Sequence, residues 1–386
     1  MKNLKLADFL AKERAELGIC PLPFTHPHIY DHSGITVYPC CPGDNCHAYG
    51  KMENGASWED VWNSEAAKAV RGKILKGDYC DCNLQQCATK GRYLAAIDYL
   101  ESAAQSSPLD TISNTAAHSK KKPLIIKFCN DFECNLYCTT CRDKIRVHTE
   151  EEIEELNKKI DSIFLPACKD ADVVYLAGDG DPFFSRHYRA LIKAISATYP
   201  HIKFILHTNG ILCNEKNCME LGIADKIYSI LISINASSKD TYESINRGGK
   251  WETLLENIKW VNECRKKGRI KKLFFSFIVQ QKNYKEMPDF VRFGQQNQAE
   301  VRFTLYQDWG TGLDYNTAAV FEENHPEFLS YCRMLKDPVF HWEGCYLDPF
   351  SKYLRSENLA KLYFLKYVKA AGARIKQTEL YSDMHK

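Results

Sequence analysis

Three cysteines, Cys134, Cys138 and Cys141, stand in the run Cys-Asn-Leu-Tyr-Cys-Thr-Thr-Cys, directly after an apolar segment, residues 124–128, that reads as a strand. A cubane [4Fe–4S] cluster held by only three cysteines leaves one iron open to an outside ligand, so this spacing points to chemistry at a metal vertex. Zinc is the competing guest for such thiolates. In a chain with 17 cysteines the string alone does not choose between them.

Three more turns follow apolar runs further along. Residues 173–177 lead into Gly178-Asp179-Gly180-Asp181-Pro182, residues 204–207 end in Thr208-Asn209-Gly210, and residues 230–234 contain Ser233 and run into Asn235. Taken with the cysteines, this series resembles the radical S-adenosylmethionine (SAM) superfamily over residues 123–308, about half of the chain. The resemblance implies that Cys134, Cys138 and Cys141 hold the catalytic [4Fe–4S] cluster and that its open iron takes the amino and carboxylate groups of SAM. It also implies that the Gly178–Pro182 turn holds the methionine amino group, and that Thr208, Asn209, Ser233 and Asn235 contribute further cofactor contacts. Thr140 stands where the family has an aromatic residue, which shifts the adenine contact to Tyr137 or elsewhere, and Asp181 replaces the family's glutamate with a side chain one methylene shorter. Without the resemblance, the same segments also read as an ordinary strand-to-helix turn, an Asn-Gly turn, and a hydrogen-bonded core pair.

The elements that must position these residues are visible as alternation. Residues 125–128, 173–176, 204–207, 230–234, 273–278 and 301–305 read as strands, and residues 150–164, 186–197, 253–265 and 284–294 show helical spacing between them. Strand-helix alternation gives a parallel sheet with right-handed crossovers, whose functional groups gather at the carboxyl ends of the strands. Six units predict an α/β fold, a partial (β/α)6 TIM-type barrel, over residues 123–320. Residues 103–122, rich in Ser, Ala, Thr and Asn, read as a linker, and residues 321–386 as a helical C-terminal extension with a broad apolar face over 358–371.

Residues 1–102 hold a second group of cysteines. Cys20, the turn at Gly34, Cys40, the tryptophan pair Trp58 and Trp62, Arg71, and then Cys80, Cys82 and Cys87 resemble the SPASM or twitch auxiliary-cluster domains, here placed before the barrel instead of after it. That likeness implies a second, auxiliary [4Fe–4S] cluster on Cys20, Cys40, Cys80 and either Cys82 or Cys87; a Cys₄ zinc site satisfies the same residues. Cys41 and Cys46 are left as spare thiols. Metal would supply stability that so small a region draws poorly from its own core.

Hydrophobic residues make up 45% and charged residues 26% of the 386, an ordinary globular balance, and the net charge of +2 gives no reason to expect nucleic acid or an anionic membrane. Charged residues interrupt the first 17 positions, and no later run reaches membrane length, so a cytoplasmic protein is expected. The resemblance implies an enzyme that cleaves SAM to a 5′-deoxyadenosyl radical and takes hydrogen from a peptide or carbohydrate-type substrate, leading to oxidation, epimerisation or cross-linking. Its electron would come from a ferredoxin or flavodoxin. The alternative is a non-catalytic zinc-binding adaptor. Arg142, Gln280, Gln281 and Trp309 are pocket candidates, and Cys332 and Cys345 candidates for a further auxiliary ligand or a hydrogen donor.

Overall fold

The computed structural model describes residues 20, 22–31, 34–41, 47–53, 56–82, 123–176, 180–310 and 312–347. The expected linker, the apolar face at 358–371, and Cys46, Cys87, Gly178 and Asp179 lie outside the described residues.

Ten strands form one sheet: β1 (His28–Asp31), β2 (Ile35–Tyr38), β3 (Gly50–Lys51), β4 (Ile125–Cys129), β5 (Val173–Leu176), β6 (Lys203–Thr208), β7 (Ile227–Ser233), β8 (Lys272–Val279), β9 (Glu300–Leu305) and β10 (Cys345–Tyr346). Strands β4 to β9 pair in sequence order, all parallel, and are the six strands read from the alternation. The order β10-β9-β8-β7-β6-β5-β4-β1-β2-β3 leaves both edges open, as a partial barrel requires.

Two features at the edges were not legible in the sequence. Strand β1 pairs parallel with β4, placing His28 opposite Lys127, so the N-terminal cysteine region is built onto the barrel sheet itself. At the far edge β10 adds parallel to β9. Residues 321–347 thus contain the helix Phe328–Met334 and a 3₁₀ turn Pro338–His341 before returning to the sheet.

Strand side chains alternate between two faces, and the core divides accordingly. The convex face carries Ile126, Phe128, Val174, Leu176, Phe204, Leu206, Ile230, Ile232, Phe275 and Phe277 under the helices. The concave face carries a smaller apolar set, Ile125, Val173, Ile205, Leu231 and Phe274, capped by Leu22 and Cys40 from the N-terminal region. The crossover helices begin at defined caps: Thr149 and Glu152 form a capping box for Glu150–Lys159, and Ser185 caps Arg186–Thr198. Among the described residues no helix is long and apolar enough to cross a membrane.

A buried arginine fastens the N-terminal region. Arg71, from the helix Glu65–Leu75, lies 3.9 Å from the Trp62 ring centroid and 4.9 Å from that of Tyr49. It donates to the carbonyl oxygens of Pro23 (2.9 Å) and Trp62 (2.8 Å), and the Tyr49 hydroxyl donates to the same Pro23 oxygen at 2.6 Å. Replacing Arg71 with Leu removes these donors from buried carbonyls, an expected loss of about 2–3 kcal/mol. Urea unfolding should show the shift, with faster hydrogen exchange centred on residues 22–26.

Candidate active site

The loop leaving β4 reaches the cysteine string through two buried carboxylates. Asp131 takes the backbone N–H of Phe132 (2.7 Å), the hydroxyl of Ser185, and a bond to His148 Nε2 (2.6 Å). Glu133 accepts from the backbone N–H groups of His148 (2.8 Å) and Arg186 (2.9 Å) and from Arg186 Nη2 (2.7 Å). Burial works to raise the Glu133 carboxyl, but the Arg186 guanidinium and these N–H groups outweigh it and hold it below the ordinary range. The Tyr188 hydroxyl accepts from the N–H groups of Asn130 (3.0 Å) and Asp131 (3.2 Å). The loop is therefore fixed before the first cysteine is reached.

The three thiols lie within electrostatic range of one another. Cys134 is pushed up to about 11, by burial first and then by Asp181, while its Sγ accepts from Leu136 N (3.5 Å) and Asn209 Nδ2 (3.6 Å). Cys138 is pushed up by burial and then by both neighbouring thiols, Cys134 and Cys141. Cys141 is exposed, and Arg142 Nε and Nη2 each approach its Sγ at 3.4 Å while Nη1 donates to the Phe132 carbonyl at 2.6 Å. Arg142 is thus not a solvated side chain; it is buried and ties the end of the cysteine loop to its beginning.

Three thiols on one loop, within electrostatic range of one another, fit the three thiolate positions of a cubane. A tetrahedral zinc with bonds of about 2.3 Å needs its sulfurs within about 4 Å of one another, whereas a cubane spreads its thiolates over separate irons. Among the described residues no three His, Cys, Asp or Glu side chains converge tightly enough for a single ion. Iron binding at these positions displaces the thiol protons that burial favours.

The turn residues assemble around this loop. Gly180 lies so close to it that a Cβ there would sit 2.9 Å from the carbonyl oxygens of both Asp131 and Glu133, and Asp181 N donates to Glu133 O at 2.9 Å. The Asp181 carboxylate is buried and turned inward: it accepts from Thr208 Oγ1 (2.7 Å), Asn209 N (2.9 Å) and Phe183 N (3.0 Å). Pro182 is buried beside it. Asn209 spans from the end of β6 to the cysteine loop, with Nδ2 donating to Asn135 Oδ1 at 2.9 Å as well as to Cys134. The Tyr137 ring is covered by the Arg247 guanidinium at 4.8 Å, whose Nε donates to the Tyr137 carbonyl (2.9 Å).

Ser233 and Asn235 part company. Ser233 lies on the concave face between His207 Nε2 (2.8 Å) and Ser276 Oγ (3.2 Å). Asn235 adopts φ 63°, in the left-handed region, and is buried: its Oδ1 accepts from Ile278 N (2.8 Å) and its Nδ2 donates to Asn246 Oδ1 (3.1 Å). The following loop is held by Glu286, which accepts from Ser237 N (2.6 Å), Ser238 N (3.2 Å), Ser238 Oγ (2.7 Å) and Thr241 Oγ1 (2.5 Å).

Among the remaining candidates, Gln280 is buried at the end of β8, Gln281 donates to Glu327 Oε1 (2.7 Å), and Trp309 is exposed. Cys332 is in the convex core, and Cys345 lies on β10, at the opposite sheet edge from β1 to β3. In the N-terminal region Cys20 and Cys82 both pack against Phe24, Ile74 and Tyr79, Cys20 also borders the concave-face cluster that contains Cys40, and both Cys40 and Cys20 act on Tyr49. Cys80 is exposed, with Sγ 3.4 Å from Asp81 Oδ1. Asp131, Glu133, His148, Arg186 and Asn209's link to Cys134 had no signal in sequence beyond polar residues near a turn.

Known proteins are similar to this chain over its barrel half. Residues 132–294 match the model of the Radical SAM superfamily. This segment is a radical SAM domain. GTP 3′,8-cyclase of Peptoclostridium acidaminophilum is 27% identical over 187 residues, covering 46% of this chain and 54% of that protein. GTP 3′,8-cyclase 3 of Mycobacterium bovis is 25% identical over 200 residues, covering 49% and 50%. The chain spans about half the length of the curated relatives it matches. Among solved structures, Streptococcus suis SuiB bound to S-adenosylmethionine is 19% identical with a TM-score of 0.37, covering 56% of this chain and 52% of that one. Methylornithine synthase (PylB) is 12% identical with a TM-score of 0.35, covering 72% and 74%.

Two variants test how the radical SAM domain holds its site. Gly180→Ala forces the turn and the cysteine loop apart, so iron retained after anaerobic reconstitution should fall to less than about half that of the parent while the far-ultraviolet spectrum is kept. Glu286→Gln should cost about 1–2 kcal/mol at neutral pH, since an amide cannot accept from all five donors, Ser237 Oγ included. Burial works to raise the Glu286 carboxyl, but the Thr241 and Ser238 hydroxyls hold it below the ordinary range. Its stabilisation is present above the unfolded pKa and is lost as pH falls through the folded one. The gap between parent and variant in urea midpoint should therefore close below roughly pH 4.

Proposed function

We propose that this chain cleaves SAM reductively at the mouth of its partial barrel and abstracts hydrogen from a substrate seated on the concave face. The observation that carries this reading is the placement of Cys134, Cys138 and Cys141 on one fixed loop at the carboxyl end of β4, linked by Asn209 to the end of β6. Those three thiols would hold a [4Fe–4S] cluster, which would supply the chemistry of reductive SAM cleavage once loaded. The chain's own part is positioning and tuning. Asn209 and Arg142 donate toward two of the three sulfurs, and such donors favour the reduced state. Asp181 fixes the turn after β5 against Thr208 and Asn209, leaving the backbone of that turn facing the loop. Cys141 is the exposed thiol of the three, which supports electron delivery there by a ferredoxin or flavodoxin.

The auxiliary cluster belongs to the same reading, on Cys20, Cys40, Cys80 and either Cys82 or Cys87; Cys20 and Cys82 flank one apolar group, Phe24, Ile74 and Tyr79. The relatives are named for a nucleotide substrate, which favours a nucleotide over the peptide or carbohydrate class expected from the sequence.

Anaerobic reconstitution with dithionite and SAM provides the test. The parent should form 5′-deoxyadenosine and Cys138→Ala should lose all but background. Equal amounts from both, or stoichiometric zinc in place of iron and sulfide, would defeat the proposal.

A further inference from the structure

A band of polar side chains crosses the concave face between its apolar floor and the cysteine loop. Lys127 on β4 stands opposite His28 on β1 and Tyr175 on β5, with its Nζ 5.0 Å from the Tyr175 ring centroid. His26 lies 4.8 Å from His28 and 6.3 Å from Tyr175, ring centre to ring centre. The band continues through His207, Ser233 and Ser276 to Arg302, which stands opposite Ser276 on β9. Below it lie Ile125, Val173, Ile205, Leu231 and Phe274.

Three properties of this band go together. His26 and His28 are buried, at 0% and 3% exposure, and none of their four ring nitrogens has a hydrogen-bond partner. Leaving such groups unsatisfied costs about 1–3 kcal/mol each, so they call for an occupant with polar atoms. Burial works to lower the Lys127 ammonium, the surrounding Cys129, Tyr175 and Cys41 groups act the other way and leave it raised, and no carboxylate pairs with it among the described residues. Burial and Lys127 together hold His26 down at about 3, and burial with Arg302 and Lys127 does the same for His207. Both rings are therefore neutral donors at pH 7. The charged groups are Lys127 and Arg302, both positive, which repel a divalent metal ion and attract an oxyanion.

We infer that Lys127, His26 and His28, with Arg302 across the barrel, form a recognition site for an oxyanion carried by the substrate, a phosphate or a carboxylate. This rests on the reading of the concave face as the substrate chamber. The cation supplies the attraction, and the neutral imidazole N–H groups direct the oxygens without a charge of their own. Neither histidine belongs to the six barrel strands, so the N-terminal region supplies half of the site through its pairing with β4.

The test is calorimetric titration of the anaerobically reconstituted full chain with inorganic pyrophosphate and, separately, with citrate. Saturable binding of either is expected, weakened about tenfold by Lys127→Met and by His28→Phe and largely restored in Lys127→Arg. The tighter probe names the source of the oxyanion. If neither probe saturates below about 10 mM, or if Lys127→Met and His28→Phe bind as the parent does while retaining its thermal midpoint, the inference is overturned. A variant that loses its thermal midpoint is judged through Lys127→Arg, whose failure to bind also overturns it. Formation of 5′-deoxyadenosine by the parent is read separately: its presence without oxyanion binding removes this site alone, and its absence with binding intact removes the catalytic reading alone.

Discussion

Two carboxylates withdrawn from water, Asp131 and Glu133, determine where the cysteine loop can go. Each is buried and each is satisfied by donors from the helix Arg186–Thr198 or the segment before Glu150–Lys159. A buried carboxylate that lost these partners would be strongly unfavourable, so the loop has one arrangement in which every charge is met. Gly180 fits against the carbonyls of the same two residues, and Asp181 passes the constraint on to Thr208 and Asn209. One network thus fixes the ends of β4, β5 and β6 relative to each other. Three thiols at the correct spacing would be of little use without it.

The barrel strands were legible because each is a short apolar run bounded by turn residues, and a parallel sheet buried on both faces leaves that mark in any order of strands. The positions of Cys134, Cys138 and Cys141 followed from the same pattern. What lay hidden is nonlocal. The pairing of β1 with β4 joins residues about a hundred positions apart, with nothing in the few residues of His28–Asp31 to name the partner. Asp131, Glu133 and Arg186 look like any charged residues near a turn, since burial of a charge depends on partners the sequence does not place beside it. Arg142 reads in the sequence as a pocket candidate, and in the structure its guanidinium closes the cysteine loop. Ser233 and Asn235 alternate as one face of a strand would, but the left-handed backbone at Asn235 breaks the alternation at that point.

The N-terminal region has a double role in this architecture. Its Leu22 and Cys40 cover the apolar floor of the concave face, and its His26 and His28 bring polar groups above that floor. Arg71, held between Trp62 and Tyr49 and donating to Pro23, connects this segment to the helix that follows Trp58–Trp62. Cys20 borders both the cluster that contains Cys40 and the one that Cys82 flanks. The barrel is consequently lined by residues from both halves of the sequence, although the radical SAM domain alone accounts for residues 132–294.

The central claim is that the three thiolates at the mouth leave one metal vertex for SAM. It is tested most directly by the Mössbauer spectrum of iron-57-reconstituted protein, recorded with Cys20, Cys40 and Cys82 replaced by Ala so that only the mouth site contributes. The account predicts a cubane spectrum in which one iron of the four changes its isomer shift and quadrupole splitting when SAM is added. A spectrum in which all four irons are unmoved by SAM, or a protein that takes up no cubane at that site, would contradict it.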